Sequence, residues 1–230
     1  MHNDLAQAIK TGDIATLNRL LSSDPALVHA RVDGHRTLLH VATDWPGHFP
    51  NVRETISTLV RHGADVNAKV HGLPHSESPL HWAASSDDVD ALDALLDHGA
   101  DIEASGAVIG GGTPLADAVA FATWRAAGRL IERGARTTIW QAAALGLMDR
   151  VQDHSTRDPA PAAAHVTNAF WGACHGGQLI AAQYLLSRGA NLNWVGHDRL
   201  TPLDAAARNG NAELVAWLRS QGAISKRELA

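Results

Sequence analysis

Ser78-Pro79-Leu80-His81-Trp82-Ala83-Ala84 opens, and Leu95-Leu96-Asp97-His98-Gly99-Ala100-Asp101 closes, a unit that returns along the chain. The opening recurs at Thr37-Leu38-Leu39-His40-Val41-Ala42-Thr43, at Thr113-Pro114-Leu115-Ala116-Asp117-Ala118-Val119 and at Thr201-Pro202-Leu203-Asp204-Ala205-Ala206-Ala207. The closing recurs at Gly63-Ala64-Asp65-Val66-Asn67, Gly134-Ala135, Gly189-Ala190-Asn191-Leu192-Asn193 and Gly222-Ala223. A period of about 33 residues marks a repeat architecture, and it changes how every later motif is read. Within a unit, threonine or serine caps a first helix, proline fits the first turn where no N–H bond is lost, and the alanine pair lets helices approach closely. Gly63, Gly99, Gly134, Gly189 and Gly222 stop a second helix, because glycine takes the left-handed conformation at low cost. No such unit buries its own apolar face, so each needs its neighbours and the ends need polar caps, expected at 4–21 and 219–230.

These motifs resemble the ankyrin repeat, with Ser78 in place of the usual threonine. The resemblance implies an all-α solenoid of about seven helix-turn-helix units with short β-type fingers, forming a single domain over 1–230. The units fall at approximately 1–33, 34–74, 75–109, 110–135, 136–164, 165–197 and 198–230; those beginning near Leu5, Thr137 and Asn168 are the weaker ones. Function in that family is mostly recognition of a protein surface through fingers and groove, and this is the expectation for the chain.

Three departures break the period. From Thr43 to Gly63 the chain holds five residues more than from Ala84 to Gly99, around Pro46-Gly47-His48-Phe49-Pro50, so that turn is enlarged. After Gly134 the next first helix begins at about Thr137, which leaves one finger missing near residue 135. Residues 155–164, with Pro159 and Pro161, read as an irregular loop in place of a glycine ending. A missing finger opens one wall of the groove, and the gap either is without consequence or admits a ligand.

Composition narrows the function classes. The 230 residues are 45% hydrophobic and 19% charged with a net charge of −5, which fits an ordered, soluble chain. No basic block offers the footprint for nucleic acid phosphates or an anionic membrane, so neither is expected as a partner. No apolar run approaches the ~18 residues of a membrane span and the start lacks a leader, so a cytoplasmic location is expected. A lone cysteine, Cys174, agrees with a reducing compartment, and packing suits it better than nucleophilic work. Gly110-Gly111-Gly112-Thr113 lacks the lysine of a phosphate loop and reads as a flexible finger feeding a cap. Of 14 histidines, His40 and His81 fill a capping place, His62 and His98 precede terminal glycines, and His71 and His75 lie in a finger without ligand-spaced neighbours. No metal and no cofactor are therefore expected.

On each first helix, side chains three and four apart share the groove face. That face collects Asp44 and Trp45, Trp82, Asp117 and Phe121, Gln141, and His175. Trp140 and Trp171 hold the histidine place and so exchange a capping side chain for a large ring. Tryptophan brings contact area at little entropic cost, which suits binding, although core packing is its commoner role. Asp117 among aromatic rings is expected to be desolvated, with a raised pKa, so it is a candidate acid, base or counter-ion to a cation. The alternative for Asp117 is a solvated residue favoured by the helix dipole. The candidate ligand-binding set is Asp44, Trp45, Trp82, Asp117, Phe121, Gln141, Trp171 and His175, with Asp117 and His175 as candidate catalytic groups. Three functions stay open: a scaffold for an unidentified protein partner through the groove, a small-molecule binder or non-classical enzyme with a Trp-lined pocket around Asp117, and a structural role.

Overall fold

The computed structural model describes residues 2–156 and 160–229, and they are helical throughout with short connections. The chain divides into two compact units, Met1–Ala135 and Arg136–Ala230. The first holds α1 (His2–Thr11), α2 (Ile14–Ser23), α3 (Leu38–Ala42), α4 (Val52–Arg61), α5 (Pro79–Ser85), α6 (Val89–Asp97), α7 (Pro114–Ala120) and α8 (Trp124–Glu132). The second holds α9 (Ile139–Ala144), α10 (Met148–Ser155), α11 (Ala163–His175), α12 (Leu179–Ser187), α13 (Pro202–Arg208) and α14 (Ala212–Ser220).

Two layers result in the first unit, because first helices meet first helices (α1 on α3, α5 on α7) and second helices meet second helices (α2 on α4, α4 on α6, α6 on α8). Leu5, Leu39, Leu80 and Leu115 from the first layer and Leu21, Leu59, Leu95 and Leu130 from the second are fully or almost fully buried between them. The second unit repeats the plan, with α9 on α11, α11 on α13 and α10 on α12, around Phe170, Leu185, Leu203 and Leu214. Alanine pairs such as Ala83–Ala84 and Ala205–Ala206 have no exposed surface, as close helix approach requires.

The caps work through one device. Thr37 donates its backbone N–H to Nδ1 of His40 at 3.3 Å, and the Nε2–H of that ring donates to the carbonyl of Glu77, one residue before the next cap. His81 does the same between Ser78 and the carbonyl of Gly112. Burial pushes the His40 pKa down to about 4 and lowers that of His81, so both rings stay neutral. The five terminal glycines lie at φ between +87° and +102°.

Fingers are joined by asparagine amides more than by strands. Among the described residues the only paired strands are β1 (Arg31–Val32) and β2 (Arg36–Thr37), antiparallel within one finger. Elsewhere Asn67 donates to the carbonyl of Gly99 and accepts from the N–H of Asp101, and Asn193 does likewise with Gly222 and Ile224. Side-chain amides satisfy the extended backbone there, beside backbone bonds such as that from His71 to the carbonyl of His35. Residues 133–138 alone separate α8 from α9, so the finger expected to be absent near residue 135 is absent.

The irregular stretch is shorter than expected. α11 starts at Ala163, before the frame near Asn168, and runs 13 residues, because alanines at 162–164 favour helix once Pro161 is passed. Pro159 lies outside the described residues. At the other end of α11, a Cβ on Gly176 would stand 1.8 Å from the carbonyl oxygen of Ala144, so α11 meets α9 with backbone against backbone. Gly176→Ala will therefore cost about 2–3 kcal/mol of stability by overpacking, read as a lowered urea midpoint at unchanged slope. No helix among the described residues is long and apolar enough to cross a membrane.

Candidate functional site

The enlarged turn between α3 and α4 carries Trp45 out into solvent at 80% exposure, opposite Phe121 at the C-terminus of α7, 51% exposed. Between them opens a cleft of about 240 Å³ lined by Asp44, Trp45, Glu77, Trp82, Ser85, Ser86, Val108 and Phe121. The helical spacing read from the sequence thus brings Asp44, Trp45, Trp82 and Phe121 to one place. Asp44 is held by Arg36, whose Nη1 stands 2.5 Å from Oδ2.

Glu77 forms the floor, and a second acid, Asp117, lies buried outside the lining. Asp117, on the groove-facing turn of α7, has no exposed surface, and Glu77, the residue before the Ser78 cap, is 4% exposed. Trp82 donates its indole N–H to Glu77 Oε2 at 3.0 Å, and the backbone N–H of Val108 reaches Oε1 at 3.4 Å. His75 Nδ1 stands 2.9 Å from Oε2 without the alignment of a hydrogen bond. Neither oxygen of Asp117 receives a well-aligned bond from another donor; its carboxyl faces Glu77 and the backbone of Ile109. Burial first, then the hydrogen bond and like charge of Glu77, push the Asp117 pKa up to about 8. At neutral pH Asp117 therefore keeps its proton.

A glycine-rich tip roofs this pair. Gly106 and Ala107 donate to the carbonyls of Gly111 and Gly112, and Gly111 donates back to Ala107, so 106–112 is a closed turn and not the flexible finger expected. Gly106 lies at φ +131°, where a Cβ would stand 2.3 Å from the carbonyl oxygen of Ser76. Only glycine fits that approach.

Sequence reasoning passed over Glu77. Its position in a finger carries no helical periodicity, and the one available signal was a carboxylate two residues from His75. Asp117 is buried, so the alternative of a solvated helix residue is set aside.

The remaining candidates belong to the second unit and have partners there. Gln141 caps α9: its Oε1 accepts from the N–H of Thr138 at 2.7 Å and from the Thr138 hydroxyl at 3.1 Å, and the residue is 4% exposed. The cap starts at Thr138, not Thr137, so Gln141 and not Trp140 takes the histidine's work. Trp171, 2% exposed, donates its indole N–H to the carbonyl of Leu200, one residue before the Thr201 cap, as His40 and His81 do to theirs. His175, also 2% exposed, stacks on Trp171 and receives Nη2 of Arg208 at 3.0 Å from Nδ1, so it is no solvated groove residue. Burial pushes the pKa of Cys174 well up, leaving it an unreactive packed thiol. Among the described residues no group of three His, Cys, Asp or Glu side chains is arranged to hold a metal.

Stacked helix pairs with Thr/Ser caps, glycine terminators and asparagine-linked fingers define a helical repeat protein. The model of ankyrin repeats in three copies matches residues 5–106 and that of a single ankyrin repeat matches 198–227; the chain belongs to the ankyrin repeat family. Among solved structures, the crystal structure of the human ASB11 ankyrin repeat domain is similar in fold, with a TM-score of 0.54 and 22% identity over 96% of this chain and 84% of that one. No curated protein matches the chain.

Proposed function

We propose that this protein is a binding module that docks a partner protein at the aromatic cleft of its first unit, taking a basic side chain between Trp45 and Phe121 above Glu77. The carrying observation is the pair of large rings left in solvent beside a buried acid. Exposed tryptophan and phenylalanine at a concave site supply the contact area of a binding hot spot, and their faces attract a guanidinium or ammonium group. The partner's charge would find its counterpart in Glu77 and Asp44.

Size favours a side chain over a free ligand. About 240 Å³ lies below the ~300–1,000 Å³ usual for small-molecule sites. The alternative of a small-molecule binder or a non-classical enzyme rests on the protonated carboxyl of Asp117. It has less support, because Asp117 presents no surface to a substrate.

The test is a set of peptides identical except for a central Arg, Lys, Leu or Glu, titrated calorimetrically. The Arg and Lys peptides should bind tightest, and Trp45→Ala and Phe121→Ala should each weaken them about thirtyfold, the scale of a 2 kcal/mol hot spot. Equal affinity for the Arg and Glu peptides would defeat the reading.

A further inference from the structure

In the second unit the imidazole of His197 sits among three indoles. Trp140 on α9, Trp171 on α11 and Trp194 in the finger before α13 have ring centroids 6.1, 5.1 and 6.0 Å from it, at interplanar angles of 55°, 75° and 89°. Glycines clear the space for these rings. A Cβ on Gly172 would stand 2.6 Å from Trp140, and one on Gly196 would stand 2.4 Å from Trp194 and 2.9 Å from Trp171. His197 Nε2 lies 2.9 Å from Asn168 Oδ1, and the residue keeps an exposed side.

Two details set this cluster apart from ordinary packing. Trp140 has its indole N–H buried with no acceptor, whereas the equivalent N–H of Trp171 is satisfied by the next finger. Buried donors are rarely left unpaired, and each one calls for an explanation. The segment that delivers His197 is strained as well. Asp198 and Arg199 lie at φ +54° and +59°, consecutive left-handed residues without glycine, and the turn is held by the ion pair of Asp198 with Arg208 at 2.7 Å.

We infer that Trp140, Trp171 and Trp194 form a receptor for a free planar nitrogen heteroaromatic ring, in which His197 is the resident occupant. The resident ring shows what the site accepts: a flat ring bounded by indoles, with one ring nitrogen directed at Asn168. It also shows what the site lacks. A ligand carrying a donor for Asn168 and an acceptor for the Trp140 N–H makes one hydrogen bond that His197 does not make. Such a ligand competes by that difference and by the relief of the strained turn, since an occupant shifts an equilibrium only by its differential interaction. The ligand proposed is a neutral one, because Arg208 and Asp198 beside the site are already paired with each other and leave no free counter-ion for a charged ring.

The test follows the Trp140 indole N–H in ¹H–¹⁵N spectra of the full chain. In His197→Ala, imidazole should bind saturably and move that resonance downfield as the donor gains an acceptor, while toluene should not move it. Adding Trp140→Phe should weaken imidazole binding about tenfold, the worth of one hydrogen bond. An unmoved Trp140 signal, or toluene binding as well as imidazole, would show packing only and overturn the assignment. Should His197→Ala fail to fold, adenine titrated into the unaltered protein decides at the same resonance: displacement of His197 with a Trp140 shift supports the receptor, and no shift rejects it.

Discussion

Replacing Asp117 by asparagine will make the protein more stable, and the gain will grow with pH. In the folded chain the Asp117 carboxyl titrates near 8, against 3.8 when free, so folding takes up a proton between those values. Stability from this group is fully present below about pH 4 and is lost as pH rises through about 8, because the buried pair must then hold two charges or give up its packing. Asparagine fills the same volume, donates an amide N–H to Glu77 and never ionises. The variant should gain on the order of 3–5 kcal/mol relative to the parent by pH 9, a melting temperature roughly 10 °C higher. His40, with its pKa pushed down to about 4, acts in the opposite sense: its contribution is present above pH 6.5 and is lost as pH falls to about 4. Melting curves of parent and variant at pH 5, 7 and 9 therefore isolate Asp117 by difference. A gap that does not widen with pH would refute the raised pKa of Asp117.

Asp93→Ala will destabilise the second-helix layer of the first unit. Asp93 on α6, its side chain 8% exposed, receives Arg129 of α8 and Arg133 just beyond that helix at 2.8 and 2.7 Å and Arg53 of α4 at 3.3 Å. Burial alone would raise its pKa, but the hydrogen bonds from Arg129 and Arg133 outweigh that and hold it below the usual carboxylate range. One carboxylate thus ties three successive units, and removing it leaves each arginine with only its second partner, Asp90 for Arg53, Glu132 for Arg129 and Asp97 for Arg133. Breaking a fully buried pair costs ~3–5 kcal/mol; with the arginines partly in water, a loss of about 2 kcal/mol is expected. Urea unfolding at low and high salt checks this, since the penalty should shrink as added salt screens the attraction.

Much of the scaffold was legible because it is written in local chemistry. Thr37, Ser78 and Thr201 announce helix starts, Gly63 and Gly99 announce stops, and Asn67 and Asn193 mark where fingers join. The aromatic cleft was legible for a related reason: Asp44 and Trp45, Trp82, and Phe121 lie on or just beyond the ends of successive first helices, which stack side by side. Glu77 was not legible, because the backbone of 106–112 folding down on it sets its direction and no periodicity marks it. Gln141 misled for a smaller cause. Two adjacent threonines compete to cap α9, and choosing Thr138 over Thr137 turns every side chain of that short helix by about 100°. Trp171 shows the limit from the other side, since a tryptophan in a histidine's place can keep the histidine's bond to the following finger.

The glycine tip over the acid pair closes on its own main chain, so its shape owes nothing to the side chains of Val108 and Ile109. Those two positions are interchangeable parts: larger, smaller or polar groups there would reset the width and wetting of the entrance while the helices beneath kept their places. The shape of that entrance can therefore be rewritten in side chains alone, while the backbone bonds that hold the tip stay as they are.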